Sequence, residues 1–397
     1  MTPLIANADE LYVAPGGPMY RWMHHLSQTL YAGHSITRRI IITLMITWLP
    51  MCVFAFLQGI ALGPSPQESF LLDFATYARF FIGIPLLIMA EDIIGSRMRQ
   101  AGLRFVDNGL VGPDDYPGFE RAVANLARRR ESVLATIIIV LLAALGAWQF
   151  TYESVSGVGT GGWQSITLPE GHSFRWSLAA IWNHVVAVPV MLFLWYRWVW
   201  RIVIWALFLR EMARLNLRLI ASHADRAGGL GFLTPPHQAF CVFAFVVGST
   251  LSAGAAFRIV YEGASIDIFQ LPVLVVVIVM QVVFLGPLLF FTPTMVRARK
   301  AGLAAYGSLV MKYNRSFQDK WMEGTVPTGE SLLGSADIQS MADMGNTFRF
   351  VEYMRYTPID KWTVMQIAVA TLLPGLPLVF LAIPLTEILK TLKGVAL

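Results

Sequence analysis

Charge is scarce in this sequence: 14% of its 397 residues are Asp, Glu, Lys or Arg, against 56% that are hydrophobic. A chain so poor in polar groups cannot cover a soluble surface, which excludes a soluble globular protein and points to a membrane. Cysteine is scarcer still. Cys52 and Cys241 both lie inside apolar runs, where each acts as a small hydrophobe rather than a disulfide partner or metal ligand. The first 36 residues lack the apolar core of a cleavable signal and instead carry Asp9, Glu10, Arg21 and three histidines, so the first hydrophobic helix is expected to direct insertion. Catalytic signatures are missing too. Gly228-Gly229-Leu230-Gly231 has neither the spacing nor the preceding strand of a nucleotide loop. His223 and Asp225 are too few for a metal, and a lone deep histidine, His184, cannot make a bis-histidine haem. No cofactor and no enzymatic activity are expected.

What the chain does have is long apolar runs. A helix needs roughly 20 residues to cross about 30 Å of hydrocarbon, and suitable runs fall at 40–62, 71–94, 132–152, 175–197, 238–260, 268–295 and 362–386. The expected fold is all-α, a polytopic membrane protein of about seven transmembrane helices. The loops after the first and third runs contain Glu68, Glu153 and Glu170 but no Lys or Arg, whereas 95–131 holds Arg97, Arg99, Arg104, Arg121 and Arg128 to Arg130, and 296–361 is similarly basic. The positive-inside bias puts these basic loops, and the N-terminal segment 1–36 leading to Arg38 and Arg39, in the cytoplasm. The net charge of +5 then reads as contact with anionic lipid on that side rather than with nucleic acid.

The run at 175–197 continues through Trp195-Tyr196-Arg197-Trp198-Val199-Trp200-Arg201, a mixture of rings and guanidinium groups expected at the inner membrane boundary. Beyond it Arg210, Arg214 and Arg218 recur every four residues, which predicts one basic face of a continuing helix that ends at Gly228-Gly229. That face is either a solvated surface beside the leaflet or a site for anionic lipid or a cytoplasmic partner. The segment 296–361 holds no apolar run of its own and is expected to form helical extensions.

Arg97-Met98-Arg99-Gln100-Ala101-Gly102-Leu103 is matched by Arg297-Ala298-Arg299-Lys300-Ala301-Gly302-Leu303, and each follows a helix containing Gly and Pro-Leu-Leu, at Gly83, Pro85-Leu86-Leu87 and at Gly286-Pro287-Leu288-Leu289. The inference is a parallel 3+1+3 repeat. Residues 37–152 form the first unit, 153–235 the linker with its span and basic helix, and 236–397 the second.

Ionisable groups within hydrocarbon are costly, which makes them candidates for a pathway or a packed polar contact. Asp73, Arg79, Glu91 and Asp92 lie along the second run, with Asp73 and Glu91 eighteen residues apart and hence on one helical face. The plainer alternatives are an interfacial Asp73 and Glu91, with Arg79 snorkelling or paired. Asn183-His184 falls about 14 Å into the fourth run, near the bilayer middle, as a proton relay, a gate, or simply an interhelical hydrogen bond. Helix breakers at Gly83, Pro85, Gly286, Pro287, Pro293, Pro374, Gly375 and Pro377 suit either a transporter's broken helices or ordinary kinks. In the fifth span Gly248, Ser252 and Ala256 form a small-residue seam for close packing within or between subunits. With the aromatic-rich fourth span, this seam suggests a homo-oligomer.

The stretch Leu332-Leu333-Gly334-Ser335-Ala336-Asp337-Ile338-Gln339-Ser340 resembles uncharacterised bacterial multi-span membrane proteins. That resemblance implies a bacterial inner-membrane location and no activity. The leading functional expectation is a channel or carrier for a small solute or ion. The other is a non-transporting structural or regulatory subunit that binds itself or a cytoplasmic partner.

Overall fold

The computed structural model describes Leu11 and residues 36–155, 162–167, 174–324, 331, 332 and 334–382. The segment 1–35, apart from Leu11, and the end of the last run at 383–386 lie outside the described residues. The described chain is helical, apart from one short antiparallel ribbon of β1 (Ser165–Thr167) and β2 (Phe174–Trp176). Five helices are long and apolar enough to cross a membrane: Ile36–Leu57, Leu178–Ala213, Gly231–Glu262, Ile266–Glu323 and Lys361–Phe380. The pair Pro113–Arg130 and Val133–Gln149, bent by 42°, makes a sixth if taken as one span. These apolar helices mark a membrane protein.

Helix α1 (Ile36–Leu57) places Thr43 and Thr47 in its apolar middle, and each hydroxyl donates to the carbonyl four residues back, of Arg39 and Thr43. That satisfies both where no water can. Helix α2 spans 74–107 and is interrupted by a π-helical turn, Ala78–Gly83. Helices α3 (Tyr116–Arg130) and α4 (Val133–Val155) follow, then the ribbon. Helix α5 (Leu178–Ala213) also contains a π turn, Asn183–Ala187. Its 36 residues span about 54 Å, well beyond the hydrocarbon.

Helices α2 and α5 run side by side in the same direction. Arg79 lies within electrostatic reach of His184, Trp198 donates to the Leu87 carbonyl at 2.8 Å, and Arg201 reaches Glu91. Between them Gly83 lets Met191 in so closely that a Cβ there would sit 2.8 Å from the methionine methyl.

The second half contains α6 (Cys241–Glu262), α7 (Gln270–Leu285), the 3-10 segment Gly286–Phe291, α8 (Thr292–Gln318), α9 (Ala336–Glu352), α10 (Lys361–Leu372) and, after a 3-10 turn at Leu373–Gly375, α11 (Leu376–Ala382). Helices α8 and α9 pair as a mostly exposed hairpin. The element Lys361–Phe380 continues through Pro374 and Pro377 as a single candidate span.

The small-residue seam of α6 faces this last span. A Cβ on Gly248 would lie 2.1 Å from the Thr371 carbonyl oxygen, and the Ser252 hydroxyl lies 3.2 Å from the Cβ position of Gly375. The aromatic residues Trp198 and Trp205 are likewise buried within the chain. The seam is thus occupied inside one subunit, while Trp182, Trp195 and Tyr196 of the aromatic-rich span are only half-buried.

The basic helix predicted through Arg218 ends early. Helix α5 stops at Ala213 with Arg214 as its cap, and Arg218 instead donates its backbone N–H to the Leu110 carbonyl at 2.8 Å. Leu217 turns inward and is 7% exposed, and burying it outweighs continuing a polar helix. Arg210, Arg214 and Arg218 are exposed but do not share one helical face.

The loop that follows is built around Asp225. Its carboxylate accepts the backbone N–H groups of Ala227, Gly229 and Gly231, while Arg226 at φ 53° and Gly228 and Gly229 at φ 67° and 94° provide the left-handed turn. Arg355 donates to the Asp225 and Ile359 carbonyls and fastens the loop to the start of α10. Burial pushes the carboxyl up, but the three backbone donors and His223 outweigh it and hold the group below its ordinary 3.8. A depressed carboxyl stabilises above its unfolded value and ceases to do so as pH falls through the folded one. Asp225→Ala is expected to cost about 1–3 kcal/mol at pH 7. Thermal midpoints from pH 7 to pH 3 should show a gap between variant and parent that holds to about pH 5 and narrows below pH 4; a constant gap would count against the ionised carboxylate.

Candidate functional site

The polar residues of the paired helices α2 and α5 gather at two levels, separated by an apolar stretch. At the ribbon end, Asp73 is the N-cap of α2. One oxygen accepts from the backbone of Ala75 and Thr76, and the other from the Thr76 hydroxyl at 2.6 Å and the Trp163 indole at 3.0 Å. Arg79 approaches the second oxygen at 3.9 Å and donates to the Ala75 carbonyl. Asp73 is therefore a satisfied cap beneath the ribbon.

His184 is 7% exposed; its Nε2 lies 3.3 Å from Gln164, and the Trp176 ring meets its own edge-on at 4.7 Å between centroids. Helix α5 starts at Leu178, and Gln164 beside β1 and Trp176 of β2 place His184 at the ribbon end of the helix. Two buried atoms here, Asn183 Oδ1 and His184 Nδ1, have no hydrogen-bond partner among the described residues. Such groups call for water or a ligand.

Arg79 and His184 each lie in a π turn. These turns are rare and recur at functional sites, and nothing in the residue pattern announced them. The π turn in α2 also breaks the 3.6-residue count that put Asp73 and Glu91 on one face. The two carboxylates belong to separate clusters.

At the other level, Glu91 is surrounded by arginines. Its Oε2 accepts from Arg39 at 2.7 Å, and its Oε1 lies 3.1 Å from Arg197 and 3.0 Å from Arg201. The side chains of Glu91, Arg197 and Arg201 are only 7%, 10% and 5% exposed, and the Arg201 guanidinium stands over the Trp198 ring at 4.9 Å. Arg197 Nη2 is buried without a hydrogen-bond partner among the described residues. The sequence reading missed Arg197 and Arg201 as site residues because their aromatic setting is that of a membrane interface, and took Arg39 only as a topology signal. Their four-residue spacing opposite Glu91 was the available signal. Asp92, one residue on, is exposed and outside the cluster.

The helix breakers have different structures. Gly83 closes a π turn with Pro85 just after it, whereas Gly286 and Pro287 begin a 3-10 segment, Pro293 opens α8, and Pro374 and Gly375 form a 3-10 turn before Pro377 in α11. Gly83 and Gly286 are thus not local equivalents, though the helices carrying the matched heptapeptides share a buried stripe: 84, 88, 91, 95 and 102 in α2, and 284, 288, 291, 295 and 302 in the second half. Elsewhere the halves differ, because α4 packs on α5 while α10 packs on α6 and α7. Among the described residues no group of three or more His, Cys, Asp or Glu gathers that could hold a metal. No family model, curated protein or solved structure matches this chain.

Proposed function

We propose that the chain is a membrane transport protein for a small solute or ion, with α2 and α5 lining its path. The observation that carries this reading is the pair of π turns holding Arg79 and His184, where Asn183 and His184 leave buried polar atoms without a partner among the described residues. Unmet hydrogen bonds support a hydrated or ligand-filled interior over a dry one. The apolar stretch around Gly83 and Met191 separates this level from the Glu91 cluster and suits a gate.

In this reading the protein sits in a bacterial inner membrane with its N-terminus and the α8–α9 hairpin in the cytoplasm. It crosses seven times, counting 74–107 and 133–155 as spans, and the shared buried stripe supports a duplication of at least the α2 and α8 segments. The exposed hairpin, with Leu309 at 49% and Met311 at 70% exposure, favours the second reading, a subunit that docks a cytoplasmic protein.

Proteoliposome flux separates the two. Osmotic relaxation with potassium chloride, potassium phosphate and glycerol, and dye-reported proton entry, should reveal at least one permeant that enters faster than into empty vesicles. Arg79→Ala and His184→Ala are expected to slow that entry at least tenfold. In a background lacking Cys52 and Cys241, His184→Cys should react with a water-soluble thiosulfonate. No flux together with an unreactive Cys would sink the transport reading.

A further inference from the structure

We infer that Trp205 and His237 hold a buried water molecule between α5 and the short helix Thr234–Ala239 that leads into α6. That helix opens with Pro235 and Pro236, whose missing N–H groups cost nothing in a first turn. His237 Nδ1 lies 2.7 Å from the Leu233 carbonyl oxygen. A carbonyl oxygen can only accept, so Nδ1 carries the ring proton, and in a neutral ring Nε2 is then a bare acceptor. The Trp205 indole N–H can only donate. Both residues are 1% exposed, and Trp205 Nε1 and His237 Nε2 are each buried without a hydrogen-bond partner among the described residues.

The two unmet groups are complementary and close. Their rings stand 6.4 Å apart between centroids at 47°, yet no direct hydrogen bond joins the two nitrogens. A buried donor and a buried acceptor left unmet are costly. One water meets both, accepting from the indole and donating to Nε2. An indole N–H has no lone pair to offer a metal ion, and no metal-binding group gathers among the described residues. The surroundings are aromatic: Trp205 stacks on Phe208 at 5.4 Å, and Phe240, edge-on to His237 at 6.1 Å, stacks on Phe284 at 4.7 Å. These rings hold donor and acceptor in place before water arrives. With one partner on α5 and the other ahead of α6, the water is a polar tie between the linker helix and the second half. The site stands apart from the transport reading, which concerns Arg79 and His184.

The test is nuclear magnetic resonance of the full chain in lipid nanodiscs, with histidine and tryptophan nitrogens isotopically labelled, at about pH 8, where an ordinary histidine is neutral. The contact between the two rings in the parent, or the loss of one signal in His237→Gln, assigns His237. The expected pattern is a protonated Nδ1 and a bare Nε2 whose resonance lies upfield of an unbonded ring nitrogen. Cross-peaks from one slowly exchanging water should reach both the Trp205 indole proton and the His237 ring.

Trp205→Phe keeps an aromatic ring but removes the donor, and should move the Nε2 resonance toward the unbonded position and speed the water's exchange at least tenfold. Trp182→Phe, whose indole bonds the Ile46 carbonyl instead, should do neither. Should Trp205→Phe fail to fold, the parent spectra decide. A protonated Nε2, an Nε2 resonance at the unbonded position, missing water cross-peaks, or a coupling across a direct hydrogen bond between the two nitrogens would each overturn the site. An Nε2 signal unchanged in a folded Trp205→Phe would do the same.

Discussion

Glu91→Leu is expected to leave little folded protein. The carboxylate is the shared partner of Arg39, Arg197 and Arg201 at 2.7, 3.1 and 3.0 Å, and its loss leaves buried guanidinium groups facing one another. Breaking a buried pair by removing one partner costs about 3–5 kcal/mol, a large share of the roughly 5–15 kcal/mol that holds a domain together. Attraction to Glu91 helps Arg197 and Arg201 stay at 10% and 5% exposure, and its loss removes the carboxylate that offsets their buried charge.

Replacing the ions together should cost less than replacing the acid alone. Glu91→Leu with Arg197→Leu and Arg201→Leu is expected to recover much of the lost stability, since apolar side chains of similar size need no counter-charge. Size-exclusion profiles and thermal midpoints in detergent measure both variants. A Glu91→Leu protein as monodisperse and heat-stable as its parent would show that the arginines do not depend on that carboxylate.

The sequence disclosed the helices more fully than their neighbours. Apolar runs near 20 residues mark spans because lipid forces the backbone to satisfy itself, and the last run is one continuous candidate span for this reason, despite Pro374 and Pro377. The candidates Asp73, Arg79, Glu91, Asn183 and His184 were legible because each is polar within an apolar run. Their partners were not. Glu91 is paired with residues 52, 106 and 110 positions away, and no local pattern encodes such distances. Arg197 and Arg201 were concealed by a composition that buried and interfacial arginines share. The π turns depend on packing between helices, so a count at 3.6 residues per turn put Asp73 and Glu91 on a common face that the fold does not keep. Arg218 was placed on a helix by spacing alone, whereas the nearby Leu217 settled the chain path.

Gly248→Ala should separate the two halves of the α6–α10 contact. The added Cβ would lie 2.1 Å from the Thr371 carbonyl oxygen and 2.9 Å from its carbon, and both are backbone atoms, so no rotamer change relieves the clash. Helix α10 must move away, losing the contacts of Thr371 and Ile367, which are 3% and 0% exposed. Overpacking of this kind typically costs 1–3 kcal/mol, and a backbone clash belongs at about the upper end.

The same helix provides the control. Gly254 has nothing within 4 Å of its Cβ position, so Gly254→Ala meets no obstacle and gains about 0.5–1 kcal/mol of helix propensity. Gly83→Ala falls between, because the atom it meets at 2.8 Å is the end of the flexible Met191 side chain, which can turn aside. The expected order of thermal midpoints is Gly254→Ala at or above the parent, Gly83→Ala slightly below it, and Gly248→Ala well below both. If Gly248→Ala were as stable as Gly254→Ala, the last span would not rest on the seam, and the seam would be free for another subunit.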